Sequence, residues 1–199
     1  MFTGIIQGVG TVRSIEPRGG DVTMTFDTGG VSLADVDTGG SIAVNGACLT
    51  AVRHAEGWFT ADVSRETLNL TTLGEWTPGT RVNLEKALTA GQALGGHYVT
   101  GHVDGVGRVL ARHDDGRSVR VEFEVPAELA RYVARKGSVC VDGVSLTVNG
   151  AHAERFDVNL VPHTLAQTIL DGYRPGTRVN LEIDIIARYL ERLLSSSGR

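Results

Sequence analysis

The chain contains itself twice, and no other feature limits its fold as sharply. Shifted by 97 positions, TGIIQGVGTV (3–12) falls on TGHVDGVGRV (100–109), and GSIAVNGACLT (40–50) falls on GSVCVDGVSLT (137–147). The same shift lays FTADVSRETLNLTTL (59–73) on FDVNLVPHTLAQTIL (156–170) and PGTRVNLE (78–85) on an identical PGTRVNLE (175–182). No gap is needed, and about a third of the positions from 2 to 88 match their partners. Two copies fall short of the three or more units that a stacked array needs, so two small self-contained domains are expected rather than a solenoid.

Within each copy, period-2 alternation such as Ile42, Val44 and then Thr50, Val52 reads as short antiparallel strands. Asn45-Gly46 and Asp142-Gly143 are type I′ hairpin signals, joining SIAV to ACLTAV and SVCV to VSLTV. Several short strands in a copy of this length predict a small closed barrel. Helices are predicted over PAELARYVARK (126–136) and SRETLNLTTL (64–73), the latter capped by Ser64 with Glu66 in its first turn. The expected boundaries are a first barrel over 1–97, a second over 98–185 and a terminal helix over 186–199. In that last segment Ile185, Ile186, Tyr189, Leu190, Leu193 and Leu194 form an apolar stripe opposite Arg188, Glu191 and Arg192. The stripe packs either on its own barrel or on copies of itself, and the second reading predicts oligomerisation.

Composition narrows the function classes. Lys plus Arg is 19 against 23 Asp plus Glu, a net charge of −4, which gives no basic surplus for a nucleic-acid partner. No apolar run is long enough to span a membrane and the start lacks a basic leader, so a soluble cytoplasmic protein is expected. Cys48 and Cys140 give neither a disulfide framework nor a CxxC zinc pair. Gly4, Gly8 and Gly10 complete no GxGxxG or GK[ST] phosphate loop.

Where the copies differ at polar strand-end positions, divided labour is expected. Cys48 faces Ser145, Ile5 faces His102, Ala87 faces Asp184, Asn45 faces Asp142 and Glu66 faces His163. His102, Ser145 and Asp184 are types used for proton transfer and oriented hydroxyls, while the first copy offers one thiol. Each has a plainer reading. Cys48 is a small core hydrophobe or a reactive thiol at the barrel rim. Asp184 is a helix N-cap or a catalytic acid. Lys136, which stands where the first copy has Gly39, is a helix C-terminal charge or a ligand anchor. His97 and His102, five apart on a strand, point to opposite faces, which argues against a shared metal.

The opening MFTGI, the paired NGxCLT and DGxSLT strands, the GGHxVTGHVDG junction, the ETL and HTL segments and the closing VNLEIDIIARYLERL together resemble the riboflavin synthase family over essentially the whole chain. The resemblance implies an all-β homotrimer with two six-stranded Greek-key barrels of the flavin-binding type per subunit and C-terminal helices at the trimer contact. The implied reaction dismutates two molecules of 6,7-dimethyl-8-ribityllumazine to riboflavin and 5-amino-6-(D-ribitylamino)uracil without cofactor or metal. Each barrel would hold one lumazine, in a site between the first barrel of one subunit and the second barrel of its neighbour. Lumazine synthase enters as a candidate partner.

By the same resemblance the first-barrel pocket is expected on Gly4, Ile5, Ile6, Cys48, Leu49, Thr50, Asp62, Val63, Ser64, Arg65, Glu66 and Thr67. The second-barrel pocket is expected on Gly101, His102, Val103, Lys136, Ser145, Leu146, Thr147, Asn159, Leu160, Val161, Pro162, His163 and Thr164. Phe2, Thr3, Ser41, Cys48, His102, Ser145 and Asp184 are the implied catalytic or orienting residues. His102 would transfer protons, Ser145 and Asp184 would orient substrate in the second barrel, and Cys48 would act as donor or transient nucleophile in the first. Ala47 stands where some members carry a second cysteine. The competing readings are a non-catalytic lumazine- or flavin-binding antenna protein, which typically loses the residues at Thr3, Cys48, Thr67 and His102, and the flavin domain of a reductase, whose flavin motif and nicotinamide domain are missing.

Overall fold

The computed structural model describes residues 1–196, so the expected extension of the terminal helix over 197–199 lies outside the described residues. The first copy folds into β1 (Gly8–Arg18), β2 (Asp21–Asp27), β3 (Ser41–Val44), β4 (Ala47–Ala55), β5 (Trp58–Val63) and β6 (Arg81–Lys86). The second supplies β7 (Gly105–Asp115), β8 (Ser118–Glu124), β9 (Ser138–Val141), β10 (Val144–His152), β11 (Arg155–Leu160) and β12 (Arg178–Ile183). Each set closes into a barrel, β1-β2-β5-β4-β3-β6 and β7-β8-β11-β10-β9-β12, with every pairing antiparallel. Asn45, Gly46, Asp142 and Gly143 all take positive φ, as the predicted I′ turns require.

Closure leaves no edge and fills the interior with side chains. Phe26 stacks on Phe59 at 5.0 Å in the first core, and Phe123 stacks on Phe156 at 5.1 Å in the second. Trp76 and Tyr173 meet these rings edge-on. Leu49 and Leu146 point inward to the same cores, which leaves their backbone, not their side chains, on the outer wall.

The predicted helices are shorter than expected. Over 64–73 the chain forms α1 (Arg65–Leu70), capped by Ser64 Oγ accepting from Thr67 N–H, and then passes into a 3-10 turn at Thr72–Glu75. Over 126–136 only α2 (Ala127–Ala130) is helical, because its apolar residues Leu129 and Val133 are drawn into the barrel core before a second turn can form. The second copy also carries α3 (Pro162–Gln167), opened by proline.

The barrels are joined back to back through buried amides. Asn83 Nδ2 donates to Asp142 C=O at 2.8 Å, and Asn180 Nδ2 donates to Asn45 C=O at 2.9 Å. Their carbonyl oxygens accept from the other copy too, Asn83 Oδ1 from Ile169 N–H and Asn180 Oδ1 from Thr72 N–H. Loss of either side chain would leave buried groups unpaired, at about 1–3 kcal/mol each.

The terminal helix α4 (Ile185–Ser196) meets its own barrel through polar groups: Arg188 pairs with Asp104, and Glu191 with Arg131 and Tyr132. Its apolar stripe faces away, with Ile186, Tyr189, Leu190 and Leu194 between 50% and 71% exposed. Of the two readings of the stripe, packing on its own barrel is therefore excluded for these residues. No helix among the described residues is long and apolar enough to cross a membrane.

Candidate active site

Because the barrel interiors are full, binding surfaces must lie on the outer walls. In the first barrel, β4 pairs with β5 only from Ala51 onward, so the strands part around Cys48–Thr50. In the second, β10 pairs with β11 only from Val148 onward, so the strands part around Ser145–Thr147. Period-2 alternation turns Cys48 and Thr50, and likewise Ser145 and Thr147, outward toward these openings. Ser41 lies opposite Thr50 on β3 and is half-buried. Cys48 thus sits on the outer wall, not on the rim expected from sequence.

Two backbone straps cover the openings. Residues 2–6 precede β1 and residues 99–103 precede β7, and they cross where Phe2 and Val99 exchange hydrogen bonds of 2.7 and 3.2 Å. Beyond the crossing each strap runs onto the other barrel. Gly4 C=O accepts from Ser145 N–H at 2.8 Å, and Gly101 C=O accepts from Cys48 N–H at 2.8 Å. Ile6 packs on the second core and Val103 on the first. Only glycine fits at the closest approach: φ is 75° at Gly4 and 80° at Gly101, and a Cβ would stand 2.6 Å from Ser145 Cβ or 2.5 Å from Cys48 Cβ.

This exchanges two groups of the expected pockets. Gly4, Ile5 and Ile6 lie with Ser145 on the second barrel, while Gly101, His102 and Val103 lie with Cys48 on the first. The cause is the splayed strand pair: each opening leaves a backbone N–H to be satisfied, and the strap that reaches it comes from the other copy. The remaining groups keep their barrels. Asp62, Ser64, Arg65, Glu66 and Thr67 border the first opening, with Asp62 accepting from Thr23 Oγ1. Asn159, Val161, Pro162, His163 and Thr164 border the second, while Val63 and Leu160 turn into the cores.

Phe2 is fully buried with Val99, Ala43 and Cys140 beneath the crossing, and Cys48 packs against the same cluster. The Phe2 side chain thus contributes packing beneath the crossing. Burial pushes the Cys140 thiol well up, so this cysteine stays protonated. Lys136 takes φ 68° at the place of Gly39, and its N–H bonds Val148 C=O as Gly39 N–H bonds Ala51 C=O. A left-handed lysine costs roughly 1 kcal/mol.

Sequence reasoning missed three groups. His97 Nδ1 lies 2.7 Å from Ser145 Oγ, and the ring is buried with Nε2 unpartnered. Burial pulls its pKa down, opposed by the charge of Asp184. Asp184 also caps α4, its Oδ1 accepting from Ile186 N–H at 3.0 Å, as the helix N-cap reading of this residue expects. The other two are Glu85 and Glu182, buried carboxyls that hold the straps. Glu85 accepts from Thr3 N–H, Thr3 Oγ1 and Gly4 N–H at 2.7, 2.6 and 3.0 Å. Glu182 accepts from Thr100 N–H, Thr100 Oγ1 and Gly101 N–H at 2.6, 2.7 and 2.9 Å. The identity of VNLE in both copies was the available signal, since it keeps an acid at a buried strand position.

The comparisons with known proteins follow the duplication. The family model for the lumazine binding domain matches twice, at residues 3–87 and 100–184. The riboflavin synthase of Mycobacterium bovis is 50% identical over the full length of both chains. Among solved structures, LumP complexed with riboflavin superimposes with a TM-score of 0.85 at 27% identity, covering 92% of this chain and 99% of its own. LumP complexed with 6,7-dimethyl-8-(1'-D-ribityl) lumazine gives 0.82 at 26% identity, covering 92% and 98%.

Proposed function

From the premise that this chain belongs to the riboflavin synthase family, we infer that it dismutates two molecules of 6,7-dimethyl-8-ribityllumazine into riboflavin and 5-amino-6-(D-ribitylamino)uracil. The observation that carries the reading is half identity to a riboflavin synthase from end to end, in a molecule that offers the same kind of opening twice. A reaction between two like molecules needs two like seats. Holding the rings against each other replaces entropic cost that can reach about 7–11 kcal/mol. The electron-poor lumazine supplies the rest of the reactivity: its 7-methyl protons are acidic, and C6 and C7 are electrophilic.

In this reading one lumazine lies against Cys48, Thr50, His102 and the 62–67 segment, and the other against Ser145, Thr147, Lys136 and the 159–164 segment. His102 moves protons beside Cys48. Ser145, aligned by the neutral His97, orients the second substrate, with Asp184 completing that group. The active assembly is a cytoplasmic homotrimer held by α4, in which the first barrel of one subunit faces the second barrel of the next; the outward stripe of α4 supports this. Lumazine synthase, as the source of the substrate, is the partner this reading suggests.

Purified protein given only the lumazine should form riboflavin and the uracil in equal amounts. Tight binding without turnover would instead favour the antenna reading, which the likeness to LumP keeps in view. Against it, Thr3, Cys48, Thr67 and His102 are all present.

A further inference from the structure

The straps suggest that each pocket is governed from the opposite barrel. We propose that Glu85 and Glu182 are positioning residues that act crosswise: Glu182, on the second barrel, holds the strap that sets His102 and Cys48 on the first, and Glu85, on the first, holds the strap that sets Ser145 on the second. The proposal rests on the family reading for what the pockets do, but its geometry does not.

The chain of contacts is continuous. Glu182 Oε1 accepts from both the N–H and the hydroxyl of Thr100, and Oε2 accepts from Gly101 N–H. The Thr100 hydroxyl, its proton given to the carboxylate, accepts from His102 N–H at 3.3 Å. Gly101 C=O accepts from Cys48 N–H. One carboxylate therefore fixes the backbone of His102 through a hydroxyl and the backbone of Cys48 through a glycine. The first strap repeats the pattern: Glu85 holds Thr3 and Gly4, Thr3 Oγ1 accepts from Ile5 N–H at 3.2 Å, and Gly4 C=O accepts from Ser145 N–H.

The buried carboxyls are suited to this work. Both are 3% exposed, and burial raises their pKa against three donated hydrogen bonds that lower it. All three donors of each site point at oxygens. A glutamine can keep one oxygen toward the threonine but must aim its NH₂ at the glycine N–H, a contact of donor on donor. The strap should loosen at glycine first, which is the residue that touches the other barrel.

The test is amide hydrogen exchange on the assembled protein, together with turnover. Glu182→Gln should speed exchange at Cys48 at least tenfold while leaving Ser145 within twofold, and Glu85→Gln should do the reverse. Exchange that rises only in the barrel carrying the substitution, or equally in both, overturns the proposal. Should either glutamine variant fail to fold, Thr100→Val and Thr3→Val remove the hydroxyl relay while sparing the carboxylate: Thr100→Val should speed exchange at His102 and Thr3→Val at Ile5, each at least tenfold and each leaving the other strap within twofold, with Thr100→Ser and Thr3→Ser restoring the parent rates; unchanged exchange at both amides overturns the proposal. For turnover, Glu182→Gln should lower kcat about tenfold or more alone, yet add less than twofold in a His102→Gln background. Full additivity would mean that Glu182 does not act through His102. If the unmodified protein formed no riboflavin, the proposed reaction would fall while the exchange pattern still decided the crossed geometry.

Discussion

At the contact between the barrels, the first copy carries Asn45 and the second Asp142; the first places Trp76 where the second places Tyr173. Asn45 Oδ1 accepts from Asn83 N–H at 2.6 Å, and Asp142 Oδ1 accepts from Asn180 N–H at 2.8 Å, so the shared backbone bond is the same. The second oxygen of Asp142 accepts from Tyr173 Oη at 2.6 Å, a bond that Trp76 cannot make. One copy thus meets a common requirement with a neutral amide and the other with a buried acid tied to a phenol. The pockets diverge similarly: a thiol beside an exposed His102 on one wall, a hydroxyl beside a buried His97 on the other. The stacked phenylalanines and the VNLE strand are shared, the aliphatic core positions exchange one apolar residue for another, and the polar differences described here lie at the contact and on the outer walls.

The largest asymmetry is α4, which only the second copy has. Truncation before Ile185 should convert the proposed trimer to monomers in sedimentation and reduce riboflavin formation to background; a shortened chain that still sediments as a trimer would break the link between helix and assembly. Next, His102→Gln should lower turnover by about 10²- to 10⁴-fold with the thermal midpoint unchanged, because it removes the group proposed to transfer protons, a side chain that is exposed and packs no core. Near-normal turnover would remove His102 from the mechanism.

A smaller effect sharpens the contrast between Asn45 and Asp142. Burial raises the Asp142 pKa to about 7 from 3.8, against the hydrogen bonds from Tyr173 and Asn180. The folded state therefore binds the proton more tightly than the unfolded one. Its favourable contribution is full below about pH 4 and is lost as pH rises toward 7. Asp142→Asn, which copies the first barrel, should raise stability at pH 8 by at most about 4 kcal/mol, and the gain should vanish near pH 4. A gain independent of pH would show that ionisation of Asp142 is not the cause. Smallest of all, Lys136→Gly should stabilise the fold by about 0.5–1 kcal/mol in denaturant melts while weakening lumazine binding, since it relieves a left-handed lysine and removes the ammonium proposed to anchor the ligand.

Much of this was legible in the chain. The duplication, the I′ turns at Asn45 and Asp142 and the stripe of α4 are local patterns, and local patterns survive folding. The exchange of the straps was not legible, because a shift of 97 positions aligns residues 4–6 with 101–103 equally well whichever barrel they cover. The pairing of His97 with Ser145 escaped for a related reason. His97 lies at the junction of the copies and has no partner in the first, so comparing them could not mark it. Helix 126–136 was overread, since its spacing of apolar residues serves the barrel core rather than a helix face.

The central claim is that two unlike pockets on neighbouring protomers make one reaction site, and subunit mixing tests it most directly. One variant, His102→Gln, disables the first-barrel pocket; the other, Ser145→Ala with Lys136→Ala, disables the second. Each alone should be nearly inactive, and co-expression should restore riboflavin formation well above the sum of the two, because some interfaces then pair an intact first barrel with an intact second. If the mixed trimers are no more active than the separate variants, the pockets do not meet across the subunit boundary and the account is wrong.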